Sequence, residues 1–93
     1  MDLRGISSTA IFAPIGQQSD LEGLASNALK SGIDLYMSKN YKAAAKEFKR
    51  SMGLAQNSPF AIDAANYMAD AYLKLDDTEG AIKAYKEAIR LNP

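Results

Sequence analysis

The stretch "GAIKAYKEAIRLNP" (Gly80–Pro93) decides the fold of this chain, because a related stretch occurs a second time. A shift of 37 positions, from 80 back to 43, places it over "AAAKEFKRSMGLAQ" (Ala43–Gln56). Residues of like size meet in this register: Ala44 with Ala81, Phe48 with Tyr85, and Ser51 with Ala88. Over this length, small residues pair with small residues and aromatic residues pair with aromatic ones, which indicates an internal repeat in two copies.

The match continues upstream of the quoted stretch. Further pairs fall into register there: Ala28 with Ala65, Gly32 with Ala69, and Leu35 with Tyr72. The chain contains no valine and lacks the β-branched and aromatic runs that favour strands. Alanine, leucine, lysine and glutamate make up much of the remainder, and all four are good helix formers. The composition therefore predicts an all-α fold.

The charge balance and the apolar runs exclude several classes of partner. The 93 residues carry 11 basic and 11 acidic side chains, so the net charge is zero and gives no general attraction for nucleic acid. No apolar run approaches the ~20 residues that span a bilayer, so no membrane partner is expected. The N-terminal stretch does not resemble a signal peptide, and we expect a cytoplasmic protein.

Breaker and capping residues divide the chain into helices. Residues 1–18 have no helical period and predict an irregular or disordered arm, which leaves residues 19–93 as the folded domain. Ser19 and Glu22 have the spacing of a capping box. Four helices are predicted: from about Asp20 to Met37, from Tyr41 to about Ala55, from Pro59 to about Leu75, and a fourth that is capped by Asp76 or Asp77 and ends near Leu91. They form two helix-turn-helix hairpins with short turns.

These paired positions resemble the tetratricopeptide repeat family, which repeats a helix–turn–helix of about 34 residues with small and bulky residues at set places. The small positions are Gly32 and Ala69 on the first helices and Ala44 and Ala81 on the second, and "LNP" (Leu91–Pro93) is a usual repeat end. The resemblance implies a right-handed α-solenoid, with repeat 1 at about 20–57 and repeat 2 at about 58–93. Three extra residues lengthen the link that ends repeat 1.

The resemblance also implies a function, namely protein–protein recognition by a non-catalytic module. In such solenoids the first helix of each repeat lines a concave binding surface. The family's groove positions fall here on two stripes: Ser26, Leu29, Ile33, Tyr36 and Met37 in repeat 1, and Asp63, Asn66, Asp70, Leu73 and Lys74 in repeat 2. The first stripe is also explained by ordinary burial in the core, and both readings stay open.

The chemistry of these stripes indicates the kind of ligand. The family's best-known mode grips a terminal carboxylate with lysine and asparagine, but here the first stripe is apolar and Asp70 would repel that carboxylate. An apolar or aromatic peptide with a basic residue near Asp63 and Asp70 fits better.

Catalysis and nucleic-acid binding are the weaker hypotheses. Without histidine or cysteine, the usual general base, thiol nucleophile and zinc ligands are missing, so no cofactor or metal is expected. Asp63 and Asp70 lie two turns apart along one face, too far to perturb each other strongly. The lysines on one face of the second helix, Lys42, Lys46 and Lys49, are explained by a solvated surface.

The last helix carries an apolar stripe that a following helix would normally cover, formed by Ile82, Tyr85 and Ile89. This stripe predicts self-association, as a two-fold homodimer or through a swapped hairpin. A structural, self-associating scaffold, or the N-terminal fragment of a longer solenoid, is accordingly the alternative to a peptide-binding module.

Overall fold

The structure is a computed structural model that describes the backbone of residues 3–93 and the side chains of residues 20–93. Over these residues the chain forms four α-helices: α1 (Leu3–Met37), α2 (Tyr41–Leu54), α3 (Pro59–Lys74) and α4 (Thr78–Leu91). Each helix packs against the next, and α3 also packs against α1. The predicted all-α hairpin fold is confirmed, while the boundaries of the two repeats stay a prediction.

The N-terminus of α1 differs from the prediction. The helix begins at Leu3, so the backbone is helical through residues 3–18, where the sequence favoured an irregular arm. Ser19 therefore lies inside the helix and is not its N-cap. Extending an existing helix adds one hydrogen bond for each residue ordered, and isolated breakers such as Pro14 do not stop α1 here. The contacts of the side chains before Asp20 lie outside the described residues.

The two turns inside the hairpins have the same geometry, which supports the internal repeat. Lys39 and Asp76, 37 positions apart (76 − 39), both adopt left-handed φ angles, of 67° and 61°. In the first turn the Lys39 amide donates to the Tyr36 carbonyl (2.9 Å) and Asn40 to Leu35 (2.8 Å). In the second turn Asp76 donates to Leu73 (3.0 Å) and Asp77 to Tyr72 (2.8 Å). Equivalent residues thus form equivalent bonds that end the first helix of each hairpin.

The predicted caps occupy the right positions, but only one of them caps through its side chain. The Asp77 carboxylate accepts a hydrogen bond from the Gly80 amide at 2.9 Å, as expected of an N-cap. Asn40 forms no such bond with its side chain. The Ser58 hydroxyl instead donates to the carbonyl of Ala55 at 2.7 Å, which closes the link before Pro59 at the first position of α3.

The core is built on close approaches between helices. Phe48 of α2 is fully buried, and a Cβ atom added to Gly32 of α1 would lie only 2.5 Å from its ring. Ser51 is also fully buried and donates a hydrogen bond to the Ala25 carbonyl at 2.7 Å, which ties α2 to α1. Ala81, the counterpart of Ala44 in the second hairpin, is 1% exposed. The small positions expected from the repeat are therefore helix contacts.

Candidate functional site

Tyr36 on α1 and Asp70 on α3 form a direct polar link between the first helices of the two hairpins. The Tyr36 hydroxyl donates a hydrogen bond to the Asp70 carboxylate. That bond, with desolvation and the carboxylate's charge, raises the pKa of Tyr36 to about 12, because ionisation would remove the donor and place two negative charges together. At neutral pH the phenol is protonated, and the link holds α1 against α3.

A row of aromatic rings supports this link from three helices. The rings of Tyr36 and Tyr41 meet edge to face with centroids 5.2 Å apart, and Tyr67 of α3 lies 6.3 Å from Tyr36 in the same manner. Tyr67 also stacks on Phe48 of α2, at 5.3 Å and 18° between planes. Such offset and edge-to-face contacts add to the stabilisation from burial. The rings therefore give the surface beside Asp70 a rigid base.

A cavity of about 250 Å³ opens next to the link on the surface of α3. Four side chains line it: Asp63, Asn66, Tyr67 and Asp70. The Asn66 amide nitrogen donates to the Ile62 carbonyl at 3.2 Å, which leaves its side-chain oxygen as an acceptor. With two carboxylates and one amide oxygen beside a phenol ring, the cavity is rich in acceptors and suits a hydrogen-bond donor or a cation.

Three of the predicted site residues, Asp63, Asn66 and Asp70, are thus brought together by α3, and Tyr36 joins them from α1. We call the surface that these residues share the α1–α3 face. It is formed by Ser26, Ile33, Tyr36 and Met37 of α1 and by Asp63, Asn66, Tyr67, Asp70, Leu73 and Lys74 of α3. Met37 is the most exposed of the predicted apolar residues, at 74%. The other predicted positions vary in exposure: Ser26 and Ile33 are half-buried, and Leu73 and Lys74 are exposed.

Leu29 requires a correction, because it is only 8% exposed and belongs to the core. It was expected on the binding surface, as one member of a stripe at helical spacing. The packing of α3 against α1 and α2 covers that part of the stripe. Leu29 supports the face from below and offers almost no surface to a ligand.

Tyr67 was missing from the prediction, although it lines the cavity. Its position gave a usable signal, since it lies four residues after Asp63 and three before Asp70, on the same side of a helix. It was not predicted because it is not among the family's groove positions, which fall on Asp63, Asn66, Asp70, Leu73 and Lys74 in repeat 2.

A second concavity, of about 360 Å³, lies between α3 and α4. Its lining residues come from both helices: Ile62, Asn66, Tyr85, Ala88, Ile89 and Asn92. The three residues predicted for self-association are exposed large apolar side chains, with Ile82 at 48%, Tyr85 at 41% and Ile89 at 65%. The stripe expected from the sequence therefore borders a groove, which we call the α3–α4 groove.

Two stacked hairpins, with equivalent turns and a first helix of each on a shared face, define a helical-repeat protein of the α-solenoid class. Residues 62–93 match the family model of the tetratricopeptide repeat. This match covers about a third of the chain, most of the second hairpin, and supports the expected resemblance to the tetratricopeptide repeat family. No curated protein and no solved structure matches the chain significantly.

Tetratricopeptide repeats are in general protein–protein interaction modules of a scaffold type. Within the part of the chain that the structure describes, none of the helices has the length and apolar character needed to cross a membrane.

Proposed function

We propose that this protein is a non-catalytic interaction module that binds a segment of a partner protein on its α1–α3 face, the concave side of the solenoid. The observation that carries the proposal is the acceptor-rich cavity lined by Asp63, Asn66, Tyr67 and Asp70 beside the link to Tyr36. In α-solenoids the first helix of each repeat lines the concave binding surface, and the position of the cavity on α3, beside α1, supports the proposal.

The residues around the cavity define the ligand we expect. Asp63 is exposed and Asp70 half-buried, and a carboxylate that accepts one hydrogen bond from Tyr36 has further lone pairs for a second donor. A lysine or arginine side chain fits this cavity because its charge is complementary and the Tyr67 ring offers a cation–π contact. The proposed ligand is a peptide that combines such a basic residue with an apolar or aromatic one.

Apolar contacts come from the neighbouring part of the face. Met37 is largely exposed, Leu73 of α3 is 45% exposed, and Ile33, one helical turn before Met37, is half-buried. Unlike the cavity, these side chains carry no charge, so they suit the apolar part of the peptide. Ser26, Asn66 and Lys74 supply polar contacts at the edges of the face.

The test is selection of a random peptide library against the protein. We expect enriched sequences in which lysine or arginine accompanies an apolar or aromatic residue. A parallel selection against Asp63→Asn with Asp70→Asn should lose the preference for the basic residue and keep the apolar one. Enrichment of acidic peptides, or the same basic preference with both carboxylates removed, would contradict the proposed ligand.

A selected peptide then locates the site. The double variant Ile33→Ala with Tyr36→Ala should weaken binding by more than ~1 kcal/mol, since buried aromatic residues often dominate interfaces. Lys42→Ala, on an exposed part of α2, is the matched control and should leave the affinity unchanged. If Lys42→Ala weakened binding and the double variant did not, the site would lie on the opposite face.

A further inference from the structure

The α3–α4 groove and the apolar ridge beside it, Ile82, Tyr85 and Ile89, form the second candidate surface. We propose that this surface binds the same surface of a second copy of the chain across a two-fold axis. The burial argument for this surface does not depend on the α1–α3 face, although the two surfaces share Asn66 and the carboxylates of Asp63 and Asp70 lie between them.

The first hairpin shows what such a groove is shaped to hold. Subtracting 37 from each ridge position gives Ala45, Phe48 and Met52 of α2. Ala45 is 4% exposed, Phe48 fully buried and Met52 half-buried, whereas Ile82, Tyr85 and Ile89 are 48%, 41% and 65% exposed. The difference arises because α3 covers the first set, as the stacking of Tyr67 on Phe48 shows directly. The α3–α4 groove is therefore the equivalent of a helix-binding surface.

On α1, the positions equivalent to the α3 residues that cover the first hairpin do not complement the groove. The α3 positions Ala64, Tyr67 and Ala71, which face the first hairpin or border it, correspond on α1 to Asn27, Lys30 and Asp34. These three α1 side chains are polar and exposed. A head-to-tail stack would place this polar face of one copy in the apolar groove of another. Burying those groups without partners is unfavourable, so stacking of that kind is disfavoured.

The α3–α4 groove and its ridge, by contrast, complement the same surface of a second copy. Tyr85 and Ile89 of the ridge form one wall of the groove between α3 and α4, so that in a two-fold pair the exposed ridge of one copy can lie along the groove of the other. A two-fold interface uses the same patch twice and requires this kind of self-complementarity. Each copy would then cover the three exposed ridge residues of its partner, as α3 covers their counterparts within the chain.

The charges at the edges of this surface favour one orientation of the two-fold axis. Lys83 and Lys86 are exposed on the α4 side, beyond the ridge. On the α3 side Asn66 lines both concavities, which places the Asp63 and Asp70 carboxylates just beyond the groove. An axis parallel to the helices brings the basic edge of each copy over the acidic edge of the other. An axis across the helices would bring like charges together, and that arrangement is unfavourable.

Sedimentation equilibrium from low to high micromolar concentration tests the proposal on the 93-residue chain. The wild type should pass from monomer to dimer and no further. Ile89→Glu should remain monomeric over the whole range, because it places a carboxylate in the apolar contact. Leu24→Glu is the matched control: Leu24 is 47% exposed on α1, which does not contact α4, and it does not line the groove, so this variant should dimerise like the wild type. Circular dichroism must show that both variants are folded.

Two results would overturn the proposal. A wild type that stays monomeric at every concentration means that this face does not bind a second copy, whether it takes another protein or nothing. Oligomers that grow beyond the dimer and are lost in Leu24→Glu mean head-to-tail stacking instead.

A charge exchange tests the orientation separately. Lys86→Glu alone and Asp63→Lys alone should each weaken the dimer by roughly three- to tenfold, the range expected for exposed ion pairs that are made twice. An equimolar mixture of the two variants restores opposite charges at both contacts and should form heterodimers as tight as the wild-type dimer. A mixture that dimerises no better than either variant alone would exclude the axis parallel to the helices.

Discussion

The two hairpins have the same turn geometry, but they differ in whether a further helix packs against them. Both end their first helix with a left-handed residue and the same pair of hydrogen bonds, at Lys39 in the first hairpin and at Asp76 in the second. Yet Phe48 is fully buried, while its counterpart Tyr85 is 41% exposed. Burial in this molecule depends on whether a further helix packs against the hairpin, and less on the hairpin's own sequence pattern.

Removing the equivalent rings should expose this difference most strongly. Phe48→Ala should cost about 3–5 kcal/mol in the free energy of unfolding, as expected for truncating a fully buried phenylalanine. Tyr85→Ala should cost less than about 1.5 kcal/mol, since much of that ring already faces solvent. Urea denaturation of dilute protein measures both losses. The milder Phe48→Leu serves if the alanine variant does not fold, and equal losses at the two sites would contradict the comparison.

A glycine pair tests the close helix contact of the first hairpin. Gly32→Ala should destabilise the fold by roughly 1–3 kcal/mol, because its methyl group would lie 2.5 Å from the Phe48 ring and force the core to shift. Gly23→Ala is the matched control in the same helix, with nothing within 4 Å of the added methyl group. It should stabilise the protein by about 0.5–1 kcal/mol through helix propensity. Thermal melts in which the two variants shifted in the same direction would mean that Gly32 is not a tight contact.

The link between the hairpins should respond to alkaline pH. Tyr36→Phe removes the hydrogen bond to Asp70 and should cost about 1 kcal/mol at neutral pH, a usual value for one intramolecular bond. Because the pKa of Tyr36 is raised from 10.0 to about 12, its contribution to stability is complete below pH 10 and is lost as the pH rises through 12.

Phenolate absorbance provides the measurement. One of the five tyrosines should titrate near pH 12 in the wild type, and that step should be absent from Tyr36→Phe. The stability difference between the two proteins should also diminish over the same interval. A wild type in which every tyrosine ionises near the ordinary pKa would show that the link is not formed.

The smallest expected effects are at the turns, where the two hairpins should behave alike. Glycine adopts a left-handed backbone without the steric cost that other residues incur, so Lys39→Gly and Asp76→Gly should each stabilise the protein by about 0.5 kcal/mol. Lys39→Gly should gain slightly more, because aspartate tolerates this conformation better than lysine does. Denaturant midpoints measure the changes. A loss of stability at one turn and a gain at the other would show that the turns are not equivalent.

Much of this fold was predictable because its signals are local. The bounds of α2, α3 and α4 lie within about one residue of the prediction, since Asn40, the Ser58–Pro59 pair and Asp77 mark helix starts in the sequence itself. The close helix contact at Gly32 was expected, because the resemblance to the repeat family places a small residue there. Such signals lie in short stretches of sequence and can be recognised without knowing which other helices pack nearby.

The rest depends on packing that no single helix encodes. Leu29 was expected on the surface because its stripe has helical spacing, but the stripe does not reveal that α3 covers it. Tyr67 was missed because its role comes from a cavity with Asp63 and Asp70 and from stacking on Phe48 of a different helix. The start of α1 at Leu3 was missed because the breaker residues in the first 18 positions suggested that the helix begins only near Asp20.

Native-state hydrogen exchange at matched amides tests the central claim. This claim is that the two hairpins have the same turn geometry, while only the first is buried by a further helix. At monomeric concentration the Phe48 amide should exchange only through global unfolding, whereas the Tyr85 amide should exchange through a local opening of α4 with a lower free energy. Raising the concentration into the range of the proposed dimer should slow exchange at Tyr85 and leave Phe48 unchanged. Equal protection of the two amides in the dilute monomer would contradict the account.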